Sequence, residues 1–111
     1  MILFVDDLRN PEDRGFNKEC KVTRSSKETI EWLETNGVPG FISFDHDLGG
    51  DDTAMVVVDF LIERDLDTDG EFISGDFSFN VHSDNPVGKA NIEGKLGGYL
   101  KFKNIMSVKF L

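Results

Sequence analysis

The sequence predicts an α/β domain of three layers, in which helices cover both faces of a mostly parallel sheet of four or five strands. Short apolar runs at 2–5, 41–44 and 77–81 each stop abruptly at polar residues, as strands buried on both faces do. Stretches with helix caps and apolar spacing separate them. With 111 residues and an apolar fraction of 39%, the chain has material for one core, so residues 1–111 are expected to form a single domain.

The elements follow in order. Residues 2–5 form the first strand, ending in Asp6-Asp7. Residues 9–20 carry Arg9, Pro11, Gly15 and many charges without periodicity, which predicts a loop. Residues 20–24 make a short strand. Ser25 or Ser26 then caps a helix whose apolar side is Ile30, Trp32 and Leu33, and Asn36-Gly37 stops it. Residues 41–44 repeat the first pattern and run into Asp45-His46-Asp47-Leu48-Gly49-Gly50. Asp51, Asp52 and Thr53 offer caps for an apolar helix over 54–64. Val56, Val57 and Val58 have strand propensity, but a strand there would leave no crossover to the next element. Residues 65–76 are polar. Residues 77–81 form a strand ending in His82-Ser83-Asp84-Asn85. Pro86 opens a helix over 87–103 despite four glycines, and the alternating polarity of 105–111 predicts an edge strand.

The formal net charge is −9, unevenly spread. Residues 89–111 hold five lysines and one glutamate, a net +4, which leaves −13 on residues 1–88. That sign excludes a broad nucleic-acid-binding surface and fits metal binding, a small substrate or solubility. The single Cys20 excludes an internal disulfide or a cysteine zinc site and suits a reducing, cytoplasmic location. The N-terminus is too short and acidic for a signal peptide, and no apolar run has the ~20 residues of a membrane span.

Right-handed crossovers bring all carboxyl ends of a parallel sheet to one edge, where ligands of open α/β sheets bind. Asp6-Asp7, Asp45-His46-Asp47 and His82-Ser83 should therefore converge, and both histidines of the chain belong to that set. Imidazoles titrate near neutral pH, so His46 and His82 offer a general acid and a general base, in either assignment. Asp6, Asp7, Asp45 and Asp47 would crowd like charge, which protonation, a cationic partner or a hard ion such as Mg2+ or Mn2+ relieves. Asp47 serves equally well as a metal ligand or as the carboxylate orienting a histidine. Arg9 is the nearest basic partner in sequence and suits a phosphate. Ser83, Asn85 and Gly88 open a helix, where free N–H groups favour an anion and a glycine permits close approach; Thr53 opens another.

These residues resemble a known family. A strand ending in Asp6-Asp7 with Asp45 at the end of a later strand resembles the response-regulator receiver. The fuller pattern is closer to the cyclic-phosphate processing receiver-like domain: Asp6-Asp7-x-Arg9-x-Pro11, Asp45-His46-Asp47-Leu48-Gly49, Asp52-Thr53 and Val81-His82-Ser83-x-Asn85-Pro86-x-Gly88, in order over residues 4–88. The resemblance implies a receiver-like (flavodoxin-like) sheet and a phosphoesterase, a hydrolase acting on a cyclic phosphate or a nucleotide end bearing one. A non-enzymatic receiver-like regulatory module, or one that binds a metal such as calcium, acting through a protein partner, is the alternative. The chain departs from signalling receivers. A loop replaces the first helix, His82-Ser83 stands where a hydroxyl residue is usual, and Lys109 does not align with the receiver lysine. Phosphorelay through Asp45 is therefore not expected.

Asp65, Asp67, Asp69, Gly70 and Asp76 follow the spacing of a calcium loop. Phe72 and the strand that follows do not suit the helix–loop–helix motif, so an acidic surface loop is the expectation there.

Overall fold

The apolar runs become strands whose polar ends share one edge. The structure, a computed structural model, describes residues 1–16 and 19–109. Strands β1 (Ile2–Val5), β2 (Lys21–Thr23), β3 (Phe41–Phe44) and β4 (Ser78–Val81) form one parallel sheet in the order β2-β1-β3-β4. Val5 stands opposite Thr23 and Phe44, and Phe44 opposite Val81. The residues after β1, β3 and β4 therefore leave the sheet side by side. The chain steps from β1 outward to β2 and returns past β1 to β3, so strand order reverses between β1 and β3 and opens a crevice there.

Three helices complete the fold: α1 (Ser26–Asn36), α2 (Met55–Asp67) and α3 (Pro86–Lys109). Ser25 caps α1 by accepting the Glu28 N–H, and Gly37 at φ 79° ends it. In α2 the valine run is helical because Val57, Val58 and Leu61 bury there while Val56 faces out, a spacing that a strand could not provide. Leu33, Val57, Val58, Leu61, Ile92 and Leu96 pack on Leu3, Val5, Ile42, Phe44 and Val81, with α1 against α2 and α2 against α3.

All three helices thus cover one face of the sheet. The expected third layer is reduced to one segment. Side chains alternate along a strand, so Phe4, Ser43 and Asn80 point to the opposite face. There the chain makes a four-residue 3-10 helix, Pro11–Arg14, closed by Gly15 at φ 82°. Phe16 follows and meets Phe4 edge-on, ring centroids 5.9 Å apart. A segment without apolar periodicity cannot cover a sheet as a long helix does; one proline, one turn and one aromatic ring suffice here.

Three boundary expectations are corrected. The predicted edge strand over 105–111 is helical as far as Lys109, and Phe110 and Leu111 lie outside the described residues. Continuing α3 satisfies backbone groups internally, where an isolated strand would need a partner. Helix α2 starts at Met55 and runs to Asp67, three residues beyond Arg64. Asp52 does not cap α2: its Oδ2 accepts the N–H of Ser26, at the start of α1, 2.8 Å away.

The calcium-like spacing also resolves. Asp65 is buried and points inward, accepting the Ile73 N–H at 2.8 Å, the Tyr99 hydroxyl at 2.6 Å and Lys103 Nζ at 3.0 Å, while Asp67, Asp69 and Asp76 are exposed. Burial alone would raise the Asp65 carboxyl, but these donors hold it below the usual value, and burial together with Asp65 pushes the Tyr99 hydroxyl up to about 12. The first position of the template is therefore a core staple joining α2, α3 and the loop before β4.

Asp65→Ala strands Lys103 beside an apolar core and should cost about 3–5 kcal/mol in urea unfolding. Lys95→Ala, which breaks the exposed pair with Asp59, should cost about 0–1 kcal/mol. The Asp65 contribution is present above the unfolded carboxyl value and disappears as pH falls through the depressed folded one, so the variant should lose stability less steeply in acid than wild type. Equal costs for the two variants would contradict the staple.

Candidate functional site

Asp6, the first residue past β1, is 1% exposed. Its Oδ1 accepts the N–H groups of Leu8 at 3.0 Å and Arg9 at 2.9 Å, which turns the chain sharply out of the sheet. Its Oδ2 lies 3.0 Å from His82 Nε2. Burial pushes the Asp6 carboxyl up, and the two backbone donors with His82 outweigh it and hold the group below its usual value. The Arg24 guanidinium secures the same turn from behind, donating to the carbonyls of Asp6 at 3.1 Å and Arg9 at 2.6 Å.

His82, one residue past β4, is held on every side. Its ring stacks on Phe4, centroids 4.5 Å apart and planes 6° from parallel. Nδ1 is 2.7 Å from Ser43 Oγ, which itself donates to Asn80 Oδ1 at 2.5 Å. Ser43 Oγ thus links the ring to Asn80, and the tautomer decides which of Nδ1 and Nε2 carries the hydrogen. The side chain is only 6% exposed. Burial lowers the proton affinity of the ring more than Asp6 raises it.

His46 is more accessible at 12%, and its Nδ1 lies 3.0 Å from Asp47 Oδ1. Asn85 Nδ2 donates to the other Asp47 oxygen at 3.2 Å while Asn85 Oδ1 caps α3 by accepting the Gly88 N–H at 3.0 Å. His46 and then Asn85 hold the Asp47 carboxyl below its usual value. Gly88 is needed for a reason that its sequence position does not reveal. A Cβ there would fall 2.3 Å from the His46 ring, so the space kept by Gly88 belongs to His46, not to a ligand.

Asp6, Asp7 and Asp45 each place a carboxylate oxygen within 4.8 Å of the others, at the β1/β3 crevice. Two such charges repel by on the order of 3 kcal/mol at a protein-surface dielectric. Burial and then the Asp6 charge raise the Asp45 carboxyl, opposed by Ser83 and His82. A buried carboxylate held ionised beside one pushed toward protonation is an environment that a hard divalent cation fits. Asp47 lies outside this trio and is paired with His46. The cleft above the trio is lined by Asp7, Arg9, Asp45, Ser83 and Asn85, among others. Thr53 stays at the loop before α2, where its Oγ1 accepts the Met55 N–H at 3.3 Å. The Arg9 guanidinium pairs with none of the trio; it meets Asp84 at 2.9 Å.

A receiver-type parallel sheet with an acidic crevice at its switch point defines the class of protein. A family model, the cyclic-phosphate processing receiver domain, matches residues 1–98. The chain belongs to that family. No curated protein and no solved structure matches it.

Sequence reasoning missed Ser43, Asn80, Arg14 and Arg24. Ser43 is the one polar member of β3, and Asn80 alternates with Phe79 and Val81 in β4; that alternation, placing both on the face of His82, is the signal that would have found them. Nothing in the sequence marks the two arginines.

The contact between Gly88 and His46 is open to a double-mutant cycle. Gly88→Ala should cost about 1–3 kcal/mol in an otherwise wild-type chain, by overpacking. In a His46→Ala background the same substitution should be nearly free, a coupling measurable by urea unfolding. Equal costs in both backgrounds would put the His46 ring elsewhere.

Proposed function

We propose that this domain is a phosphoesterase that opens a cyclic phosphodiester, on a small molecule or a nucleotide end, to the phosphomonoester. The observation that carries this reading is that both histidines of the chain lie at one sheet edge, each with a carboxylate 3.0 Å away. In the reaction a water oxygen bonds to phosphorus, one ring P–O bond breaks, a base takes the water proton and an acid protonates the departing oxygen. Asp47 holds His46 at Nδ1, which leaves Nε2 for proton transfer. His82 gives or takes its proton through Asp6, whose Oδ2 lies 3.0 Å from its Nε2. Either histidine can be the acid. Arg9 and Asn85 stand at the cleft to hold the phosphate, and Ser83 steadies Asp45.

Asp6, Asp7 and Asp45 are the residues that would hold Mg2+ or Mn2+. When bound, such an ion supplies neutralisation of phosphate charge.

One observation favours a second reading, a non-catalytic receiver-like module that binds its ligand and acts through a protein partner. His82 is 6% exposed with both nitrogens engaged, as suits a structural ring.

A screen of cyclic nucleotides and nucleotide ends bearing a cyclic phosphate, with Mg2+ and with chelator, separates the two readings. The enzyme reading expects turnover with a bell-shaped pH profile. His46→Ala and His82→Ala should each lose about 10²–10⁴-fold, and the double variant little more. Millimolar Mg2+ should raise the melting temperature of wild type, and Asp45→Ala should lose that rise. Saturable binding without turnover of any substrate would leave the module. Full activity in both single histidine variants would overturn the two-histidine mechanism.

A further inference from the structure

At the mouth of the cleft one carboxylate oxygen holds two arginines. Asp84 Oδ2 lies 2.9 Å from Arg9 Nη2 and 3.0 Å from Arg14 Nη2. The two guanidiniums, Arg14 first, hold the Asp84 carboxyl below its usual value. Asp84 is 68% exposed on its side chain, whereas Arg14 is 25% exposed. Arg14 Nε is the one side-chain polar atom, among the described residues, that is buried without a hydrogen-bond partner.

Chemistry makes this arrangement incomplete. A guanidinium edge presents Nε–H and an Nη–H together, spaced for two oxygens of one carboxylate or phosphate. Asp84 fills only the Nη2 half of that edge on Arg14 and leaves Nε–H unpaired, which costs free energy. Exposed ion pairs contribute little, so Asp84 is a weak occupant. A phosphoryl group has more oxygens and can meet both donors of Arg14 and still reach Arg9. The local fold explains how Arg14 comes to be there: Pro11 starts, and Gly15 ends, the single 3-10 turn that carries it over the sheet edge. Asp84 belongs to the loop between β4 and α3, which begins at His82 and also lines the cleft.

We propose that Arg9 and Arg14 form a binding site for a phosphate monoester or diester, and that Asp84 is a resident counter-ion which the ligand's phosphoryl oxygens displace. This deepens the reading given above, on which it rests for the identity of the ligand. Asp84 then sets affinity from within: an anion must compete with it to enter, so a doubly charged phosphomonoester is held more tightly than a singly charged cyclic diester.

Binding of inorganic phosphate, followed on the arginine Nε–H signals by NMR with melting as a fold control, tests this without requiring turnover. Asp84→Asn should tighten phosphate binding about tenfold, and Arg14→Ala should weaken it at least as much. Arg14→Lys should recover only part, because an ammonium cannot present two donors in a fork. Glu63→Gln, the same charge change at an exposed position of α2, should alter nothing. Unchanged or weaker binding in Asp84→Asn, or wild-type binding in Arg14→Ala, would overturn the proposal. If phosphate responds as expected and no cyclic phosphate is ever turned over, the anion site stands and the enzyme reading falls. If cyclic phosphates are turned over while phosphate binding ignores all three substitutions, the reverse holds.

Discussion

The structure of this sheet edge depends on one buried carboxylate. Asp6 uses one oxygen to reverse the chain after β1 and the other to fix His82 at the end of β4, so a single side chain ties the first strand to the last. Such a group is tolerable only because three hydrogen bonds replace its lost water. Burial pushes the neighbouring Asp45 toward its protonated form, the ionised Asp6 adds to that push, and Asp7 adds to the crowding. The acidic crevice is thus a consequence of how Asp6 is held.

The opposite face of the sheet shows what this arrangement replaces. Where a full helix would cover Phe4, the chain places one 3-10 turn, Phe16 and the His82 ring. His82 therefore packs like a core aromatic and bonds like a polar relay, with Ser43 and Asn80 behind it. The short segment also lets Arg9 line the cleft and Arg14 reach Asp84 beside it. His46 is fixed differently, between Asp47 and the backbone of α3 at Gly88, so the two histidines differ in accessibility although both follow strands.

Much of this was legible in the sequence. Abrupt polar stops after apolar runs located three strand ends, and parallel topology then required Asp6, Asp45 and His82 to meet. The family matched over residues 1–98 is the one those motifs resembled. What stayed hidden depends on side-chain direction. Gly88 suggested a ligand but serves His46, because sequence spacing does not tell which atom fills the space a missing Cβ leaves. Asp65 suggested a calcium loop but turns inward, since its partners Tyr99 and Lys103 lie more than thirty residues away along α3. The alternation over 105–111 fits a strand, yet α3 continues through Lys109. Polarity patterns over so few residues do not outweigh helix propagation.

The order in which the two crowded carboxylates titrate tests the account most directly. Carbon-13 NMR of the Asp6 and Asp45 carboxyl groups, in chelator and across the acid range, should find Asp6 below and Asp45 above the ordinary aspartate value of 3.8. In His82→Asn, which removes the partner of Asp6 Oδ2, the Asp6 value should rise. If Asp45 titrates below Asp6, or if both titrate at the ordinary value, then Asp6 is not the fixed charge around which this edge is organised.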